Sequence, residues 1–354
     1  MPEPVDWELA QRVGARLAPA GPDTTADEAG AAVAMLRELA REAEDHVERV
    51  SGLSIRAAGG DPVNVVRVVD RREWIRANVA QFQYAVRPLT DRLGEGPTSA
   101  ADLTAAVGSR VTAVELGAVL SFLSGKVLGQ YEAFTGMGAP TPRLLLVAPN
   151  IVSAERQMEL PERDFRLWVC VHEETHRAQF GANPWLAQHF TAEVHALVAG
   201  SDSSLGDIVR RVGRAAGAVV AGVRGTPDAP SVIEALQAPE QRERIDSLVA
   251  MMTLLEGHAD YVMDEVGPEV IPSVSTIRER FDQRRAQPRG MEGIVRRIIG
   301  LDAKMQQYSQ GAAFVREVVD TVGLDEFNIV WTGPETLPQR EEITAPRRWI
   351  DRVL

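Results

Sequence analysis

The sequence predicts a mainly α fold with a minor β component. Apolar residues recur at the spacing of amphipathic helices along most of the chain, and prolines or capping residues mark where many of these segments begin. Only short runs are rich in Val, Ile and Leu in the manner of buried strands. The chain has 354 residues, of which 45% are hydrophobic, so it can bury a core of ordinary size and is not disordered over most of its length.

The N-terminal third is predicted to contain helical segments around one strand. Thr25 followed by Glu28 is a capping box, which marks the start of a long helix. In a later segment, small residues recur every four positions and form a surface on which another helix can pack; they are Gly117, Ser121, Gly125 and Gly129. The predicted helices cover residues 6–17, 25–50, 70–93 and 101–134, the last as one helix or two, and the strand covers 63–69.

The rest of the chain is predicted to be helical apart from two short strands. The apolar runs 143–149 and Phe327–Trp331 have the composition of buried strands. The predicted helices of this part cover residues 161–179, 184–198, 205–223, 239–266, 273–283, 291–299 and 303–320.

Composition and charge exclude several classes of protein. The formal net charge is -12, and arginine pairs are scattered along the chain rather than gathered in a basic stripe, so we expect no nucleic-acid partner. A single cysteine, Cys170, excludes an internal disulfide framework. Residues 1–6 show no secretory signal, and charged residues interrupt the apolar stretch 111–134, so no membrane span is predicted. We therefore expect a cytoplasmic protein that does not associate with membranes.

The most informative motif is His-Glu-x-x-His at residues 172–176. His172 and His176 lie one helical turn apart on the same face, so their neutral imidazoles can bind one Zn²⁺. Glu173 follows the first histidine and lies beside the metal, a position that suits a general base acting on water. The alternative interpretation is a helix in which the two histidines only pack or cap.

A catalytic zinc site needs a third protein ligand. Glu256, on a later predicted helix, is the preferred candidate, because Asp260 lies one turn further on the same face and can accept the free N–H of a ligand histidine. His258 is the competing candidate. It lies about 200° around the helix from Glu256, so the two residues cannot both bind one metal from a regular helix.

The motif and the downstream acidic residues resemble the gluzincin metallopeptidases, at His172, Glu173, His176, Glu256 and Asp260. Over most of its length the chain is also similar to a family of bacterial zincin-like proteins regarded as hydrolases, some of which are associated with biosynthesis of the deazaflavin coenzyme. The residues that carry this second likeness are 256–264, Lys304–Tyr308 with Gly311 and Phe314, and Phe327–Trp331.

The resemblance implies a zincin-like metallopeptidase fold with additional helical regions. It also implies one Zn²⁺ per chain, with His172, His176 and Glu256 as ligands and Glu173 as the base. The expected function is hydrolysis of a peptide or amide substrate by a metal-activated water. Iron can use a similar ligand set. We expect an N-terminal helical region over residues 1–140, a zincin-like metal-binding core over 141–270 and a C-terminal helical region over 271–354, or one compact domain formed by all three.

The residue that stabilises the oxyanion stays open at this stage. Tyr308, Tyr261 and His258 are candidates, and Tyr308 is preferred because it ends a polar patch, Gln306–Tyr308, in an amphipathic helix. His258 and Tyr261 could also line the cleft. Two alternatives to an enzyme remain, namely a non-catalytic zincin-fold binding or scaffold protein and an accessory factor in redox-coenzyme metabolism.

Overall fold

A computed structural model describes residues 5–54, 66–88, 102–134, 142–200, 239–286 and 308–354. The longer helices are α1 (Trp7–Leu17), α2 (Ala26–Ser51), α3 (Arg71–Ala85), α4 (Asp102–Ser124), α5 (Ala148–Gln157), α6 (Glu162–Ala182), α7 (Pro184–Ala199), α8 (Pro239–Val270), α9 (Val274–Ala286) and α10 (Tyr308–Val322). The C-terminal segment adds the short helices α11 (Leu324–Phe327), α12 (Arg340–Ile343) and α13 (Pro346–Val353). The strands are β1 (Val66–Val69), β2 (Gly129–Tyr131) and β3 (Leu144–Val147).

This architecture confirms the predicted mainly α fold with a small sheet. The helices predicted at 205–223 and 291–299 lie outside the described residues. Local signals act as expected at several helix ends. Thr25 and Glu28 form both hydrogen bonds of the capping box that begins α2, the Asp70 side chain caps α3, and Gly52 ends α2 with a φ of 71°. In α8 the backbone departs from helical geometry at Gly267, directly before Pro268.

The three strands form one sheet in the order β1-β3-β2. β1 pairs with β3 in parallel, with Val66 opposite Leu144, and β2 pairs with β3 antiparallel, with Gly129 opposite Leu146. All four residues of β3 are buried, because this central strand is covered on both faces. Among the described strands, β2 forms one edge of the sheet.

Two of the sequence predictions are wrong. Residues 129–131 are strand β2 rather than part of a helix, because they pair with β3, a partner that lies far beyond the range of local periodicity. Residues Phe327–Trp331 are helical turns rather than a strand. Their buried members are Phe327, Val330 and Trp331, which follow the i, i+3, i+4 spacing of a helix face.

The core consists of two hydrophobic clusters on either side of β3. The larger cluster includes buried residues of α2, α6, α8, α10 and the C-terminal segment, together with Leu146. The smaller cluster joins α1, α3 and α4 to the sheet through Val69, Leu145 and Val147. Gly117 allows α1 and α4 to touch, since a β-carbon there would lie 3.0 Å from the backbone nitrogen of Gly14. None of the described helices is long and apolar enough to cross a membrane.

Candidate metal centre

Helix α6 presents both motif histidines on one face. The Nε2 atoms of His172 and His176 lie 3.2 Å apart, and both side chains are partly exposed. The opposite side of the helix is buried, and there the thiol of Cys170 points at the carbonyl of Leu36 in α2. This arrangement is the consequence of the i, i+4 spacing on a helix whose other faces are packed in the core.

Helix α8 brings Glu256 to the same point. Its Oε2 lies 3.7 Å from Nε2 of His172 and its Oε1 lies 3.6 Å from Nε2 of His176. One potential ligand atom from each of these three side chains lies within 4.8 Å of the others.

These distances fit a zinc ion. Ligand bonds of about 2.0–2.1 Å in a tetrahedron place neighbouring ligand atoms about 3.3 Å apart. The two histidine nitrogens, 3.2 Å apart, would repel each other if both presented lone pairs without a cation between them. Two imidazoles and one carboxylate are also a donor set that zinc accepts in catalytic sites.

The position of Glu256 depends on a close crossing of α8 and α10. A β-carbon on Gly257 would lie 2.5 Å from the Cα of Gly311, so the two helix backbones touch directly. Gly311 in turn contacts the backbone of Thr253. The residue next to Glu256 is therefore locked against a neighbouring helix, which limits how α8 can rotate.

Gln179 links His176 to α8, and sequence reasoning did not identify it. The Nδ1–H of His176 donates to Oε1 of Gln179 at 3.0 Å. The amide nitrogen of Gln179 donates to the carbonyl of Leu255 at 2.9 Å and lies 3.0 Å from Nδ1 of His258. These contacts hold the proton of His176 on Nδ1 and direct its Nε2 lone pair at the candidate metal position. Its place three residues after His176, on the same helix face, is the signal that could have found it.

His258 lies behind the site rather than in it. Its ring is fully buried and contacts the rings of Phe327 and Trp331, with centroids 5.7 and 5.1 Å away. Burial lowers the pKa of His258 to about 3, so its imidazole is neutral. The structure therefore brings Glu256, and not His258, to the two motif histidines.

The second ring nitrogen of His172 contacts α8, and the candidate Asp260 contacts α9. Nδ1 of His172 lies 3.3 Å from the sulfur of Met263. Arg278 donates to the backbone carbonyl of Asp260 at 3.1 Å, and one of its nitrogens lies 3.9 Å from the Asp260 carboxylate. Arg278 also forms an ion pair with Asp264 at 2.5 Å.

Glu173 is buried beside the histidines, with only 7% of its surface exposed. Burial raises the pKa of Glu173 to about 7; His176 opposes this rise and the negative charge of Glu256 adds to it. Strand β2 covers the carboxyl group, because a β-carbon on Gly129 would lie 2.6 Å from Cγ and 2.7 Å from Oε1 of Glu173. A carboxyl group with a pKa near neutrality in a shielded position can accept and return a proton.

Comparison with known proteins identifies the family. A family profile described as a zincin-like metallopeptidase matches residues 5–350. The chain belongs to this family. In a search of solved structures, the chain is similar to a candidate hydrolase with a novel fold from Chloroflexus aurantiacus, with 29% sequence identity and a TM-score of 0.66 over 98% of each chain. No curated protein matches the chain.

Membership of the zincin-like metallopeptidase family implies a metal, typically zinc, and supports a hydrolase. The sequence suggested Tyr261 and Tyr308 as candidates for the residue that stabilises the oxyanion. Tyr261 is 8% exposed and burial raises its pKa, while Tyr308 is the first residue of α10 and its side chain lies outside the described residues. Tyr131 of β2, which the sequence did not suggest, stacks on Phe180 of α6, and burial raises its pKa to about 12.

A buried group of charged residues anchors α6 on the side that faces away from the candidate metal centre. Nε of Arg177 donates to Oε1 of Glu174 at 2.6 Å, and Nη2 of Arg177 lies 2.9 Å from Oε2 of Glu44 in α2. Burial raises the pKa of Glu174 to about 7, with Arg177 acting in the opposite direction. The group joins α6 to α2 directly behind the residues that form the candidate metal centre.

Proposed function

We propose that the protein is a zinc-dependent hydrolase, and more narrowly a metallopeptidase that cleaves a peptide or amide bond. His172, His176 and Glu256 are the proposed ligands and Glu173 is the proposed general base. The observation that carries this proposal is the convergence of three potential ligand atoms beside the buried carboxyl group of Glu173. Zinc would supply a lowered pKa for a water molecule and polarisation of the substrate carbonyl.

Residues of the chain would transfer the protons and orient the ligand histidines. Glu173 takes a proton from the attacking water and passes it to the leaving amine, and its raised pKa suits both transfers near neutral pH. Gln179 keeps His176 in the tautomer that can bind metal. We retain Asp260 as a residue that orients a ligand histidine, because it lies one turn beyond Glu256 on α8.

Strand β2 supports a peptide as the substrate. It is an edge strand among the described residues, and its first residue contacts Glu173. An extended peptide that paired with such an edge would lie beside the base. Tyr308 is the proposed donor to the developing oxyanion, since α10 crosses α8 at the contact of Gly311 with Gly257, the neighbour of Glu256.

The first experiment measures metal content by elemental mass spectrometry on untagged protein. We expect about one zinc per chain, and loss of that zinc in a His172→Ala/His176→Ala double variant. Absence of metal from the unmodified protein after incubation with zinc would contradict the proposed centre.

The second experiment tests hydrolysis with a peptide library. We expect metal-dependent cleavage that Glu173→Gln abolishes while zinc content stays unchanged. Glu162→Gln, which alters an exposed acid at the start of the same helix, is the matched control. Zinc binding without cleavage of any peptide would favour the alternative, a non-catalytic zincin-fold binding protein.

A further inference from the structure

A polar pocket of about 230 Å³ lies between α3, α5, the segment after α1 and the connection from α4 to β2. It shares no lining residue with the candidate metal centre, and none of the described residues that line it is acidic. Its polar side chains are Arg71, Lys126, Asn150, Ser153 and Gln157.

Arg71 is a buried cation that forms no ion pair with a carboxylate of the described residues. Its Nε donates to Oδ1 of Asn150 at 2.7 Å, and its Nη1 donates to the carbonyls of Pro19, at 3.0 Å, and Ala20. All three acceptors are uncharged, and Nη2 has no hydrogen-bond partner among the described residues. Burial lowers the pKa of Arg71 without an opposing contribution from an acid. Such a charge is costly to bury unless an anion compensates it.

The other buried arginines of the described chain are different. Arg166 lies 2.6 Å from the carboxylate of Glu155, and Arg177 lies 2.9 Å from that of Glu44. The chain has 50 acidic and 38 basic residues, so a lack of acidic residues in the sequence does not explain why Arg71 has no such partner. Its absence around Arg71 in the described residues indicates that a ligand supplies the negative charge.

Lys126 provides a second cation at the same pocket. Its ammonium group lies 5.8 Å from the ring centroid of Phe122 and forms no ion pair with a described residue. Lysine and arginine donate charge-assisted hydrogen bonds to phosphate oxygens. The pocket is smaller than the cavities of about 300–1,000 Å³ that take drug-sized ligands. Its size therefore suits an ion or a single phosphoryl group.

We propose that this pocket binds a small oxyanion of the phosphate class, held by Nη2 of Arg71 and the ammonium group of Lys126. The anion is either free phosphate or the phosphoryl group of a larger ligand. This site is independent of the proposed hydrolase activity, since it uses none of the residues assigned to that reaction.

Calorimetric titration of the full chain tests the proposal. Inorganic phosphate is titrated at constant ionic strength maintained with sodium chloride, and glycerol phosphate is titrated in a second arm. We expect saturable binding of one phosphate per chain. Binding of both compounds indicates that the pocket accepts a phosphoryl group of a larger ligand, whereas binding of inorganic phosphate alone indicates the free anion.

The variants localise the binding. Lys126→Gln is expected to raise the dissociation constant for phosphate about tenfold, since one charge-assisted hydrogen bond to the anion is lost. Arg348→Gln removes the same charge from an exposed position of α13 and is expected to leave the constant unchanged. Arg71 also donates hydrogen bonds to the carbonyls of Pro19 and Ala20, so its substitution would disturb folding as well as binding. The test therefore uses the substitution of Lys126.

Thermal unfolding provides an independent readout. Phosphate should raise the Tm of the unmodified protein and of Arg348→Gln, but should raise that of Lys126→Gln much less. The proposal is overturned if phosphate gives no saturable heat at millimolar concentration. It is equally overturned if Lys126→Gln and Arg348→Gln bind phosphate alike, because phosphate would then bind elsewhere, for example at the proposed metal centre.

Discussion

Gly129 of β2 and Glu173 of α6 are in such close contact that no β-carbon fits between them: one built on Gly129 would lie 2.6 Å from Cγ of Glu173. The strand edge and the proposed base are therefore positioned against each other. Substitution of the glycine must move one of them, and it is the side chain of Glu173 that can move most easily.

We expect Gly129→Ala to reduce hydrolysis about 100-fold while zinc content is retained, because a displacement of about 1 Å at a catalytic group can have that effect. The measurement is kcat/KM for a cleaved peptide, beside zinc content. Gly30→Ala is the control, since no atom lies within 4 Å of a β-carbon there. Unchanged activity in Gly129→Ala would show that the contact does not position the base.

Gln179→Leu should weaken zinc binding about 10- to 100-fold, which is typical when the partner of a ligand histidine is lost. The variant removes the acceptor for Nδ1–H of His176 and leaves the carbonyl of Leu255 without its side-chain donor. Competition with a chelator measures the affinity, and urea unfolding of the metal-free protein measures stability separately. Gln283→Leu, at an exposed position of α9, should leave both quantities unchanged. Equal zinc affinity in the two variants would contradict the positioning role.

Arg177→Met should lower the free energy of unfolding by about 3–5 kcal/mol, because it leaves the buried Glu174 without its cation. Arg12→Met removes an exposed i, i+4 partner of Glu8 and should cost at most about 1 kcal/mol. Urea unfolding of the metal-free proteins gives both values. A loss in Arg177→Met as small as that in Arg12→Met would mean that the buried group of charged residues does not anchor α6 to α2.

The carboxyl group of Glu342 should contribute stability that depends on pH. Burial alone would raise its pKa, but hydrogen bonds from Arg352 and from the backbone of Gln339 outweigh burial and hold the pKa below its usual value. An acid whose pKa is lowered by folding stabilises the protein above its unfolded pKa of about 4.3, and this contribution is lost as pH falls through the lower folded value.

Glu342→Gln should therefore be less stable than the unmodified protein at pH 7, and the difference should shrink as pH falls below about 4. Urea unfolding across this pH range measures it. Glu341→Gln, at an exposed neighbouring position, should show no such trend. A difference between Glu342→Gln and the unmodified protein that does not change with pH would contradict the assigned charge interaction.

Local sequence features predicted much of this protein correctly. The capping box of Thr25 and Glu28 identified the start of α2, and the β-branched or apolar runs identified β1 and β3. The i, i+4 spacing of His172 and His176 was enough to predict that they share a helix face. The division into regions 1–140, 141–270 and 271–354 stays a prediction.

Other features depend on residues that are distant in the sequence. β2 was mistaken for helix because only its pairing with β3 makes it a strand. Phe327–Trp331 was mistaken for a strand because an apolar run does not by itself reveal its period. Gln179 was overlooked because its partner on α8 lies 76 residues away.

Spacing within single segments was enough to predict the helical class and the shared helix face of the two histidines, whereas the family resemblance rests on motifs spread along the chain. The sequence also narrowed the third ligand to Glu256 or His258. Which of the two side chains lies near the histidines depends on how α8 is rotated, and this cannot be read from the spacing of residues within α8. The contact of Gly257 with Gly311 sets that rotation, which directs Glu256 to the histidines and His258 into the core.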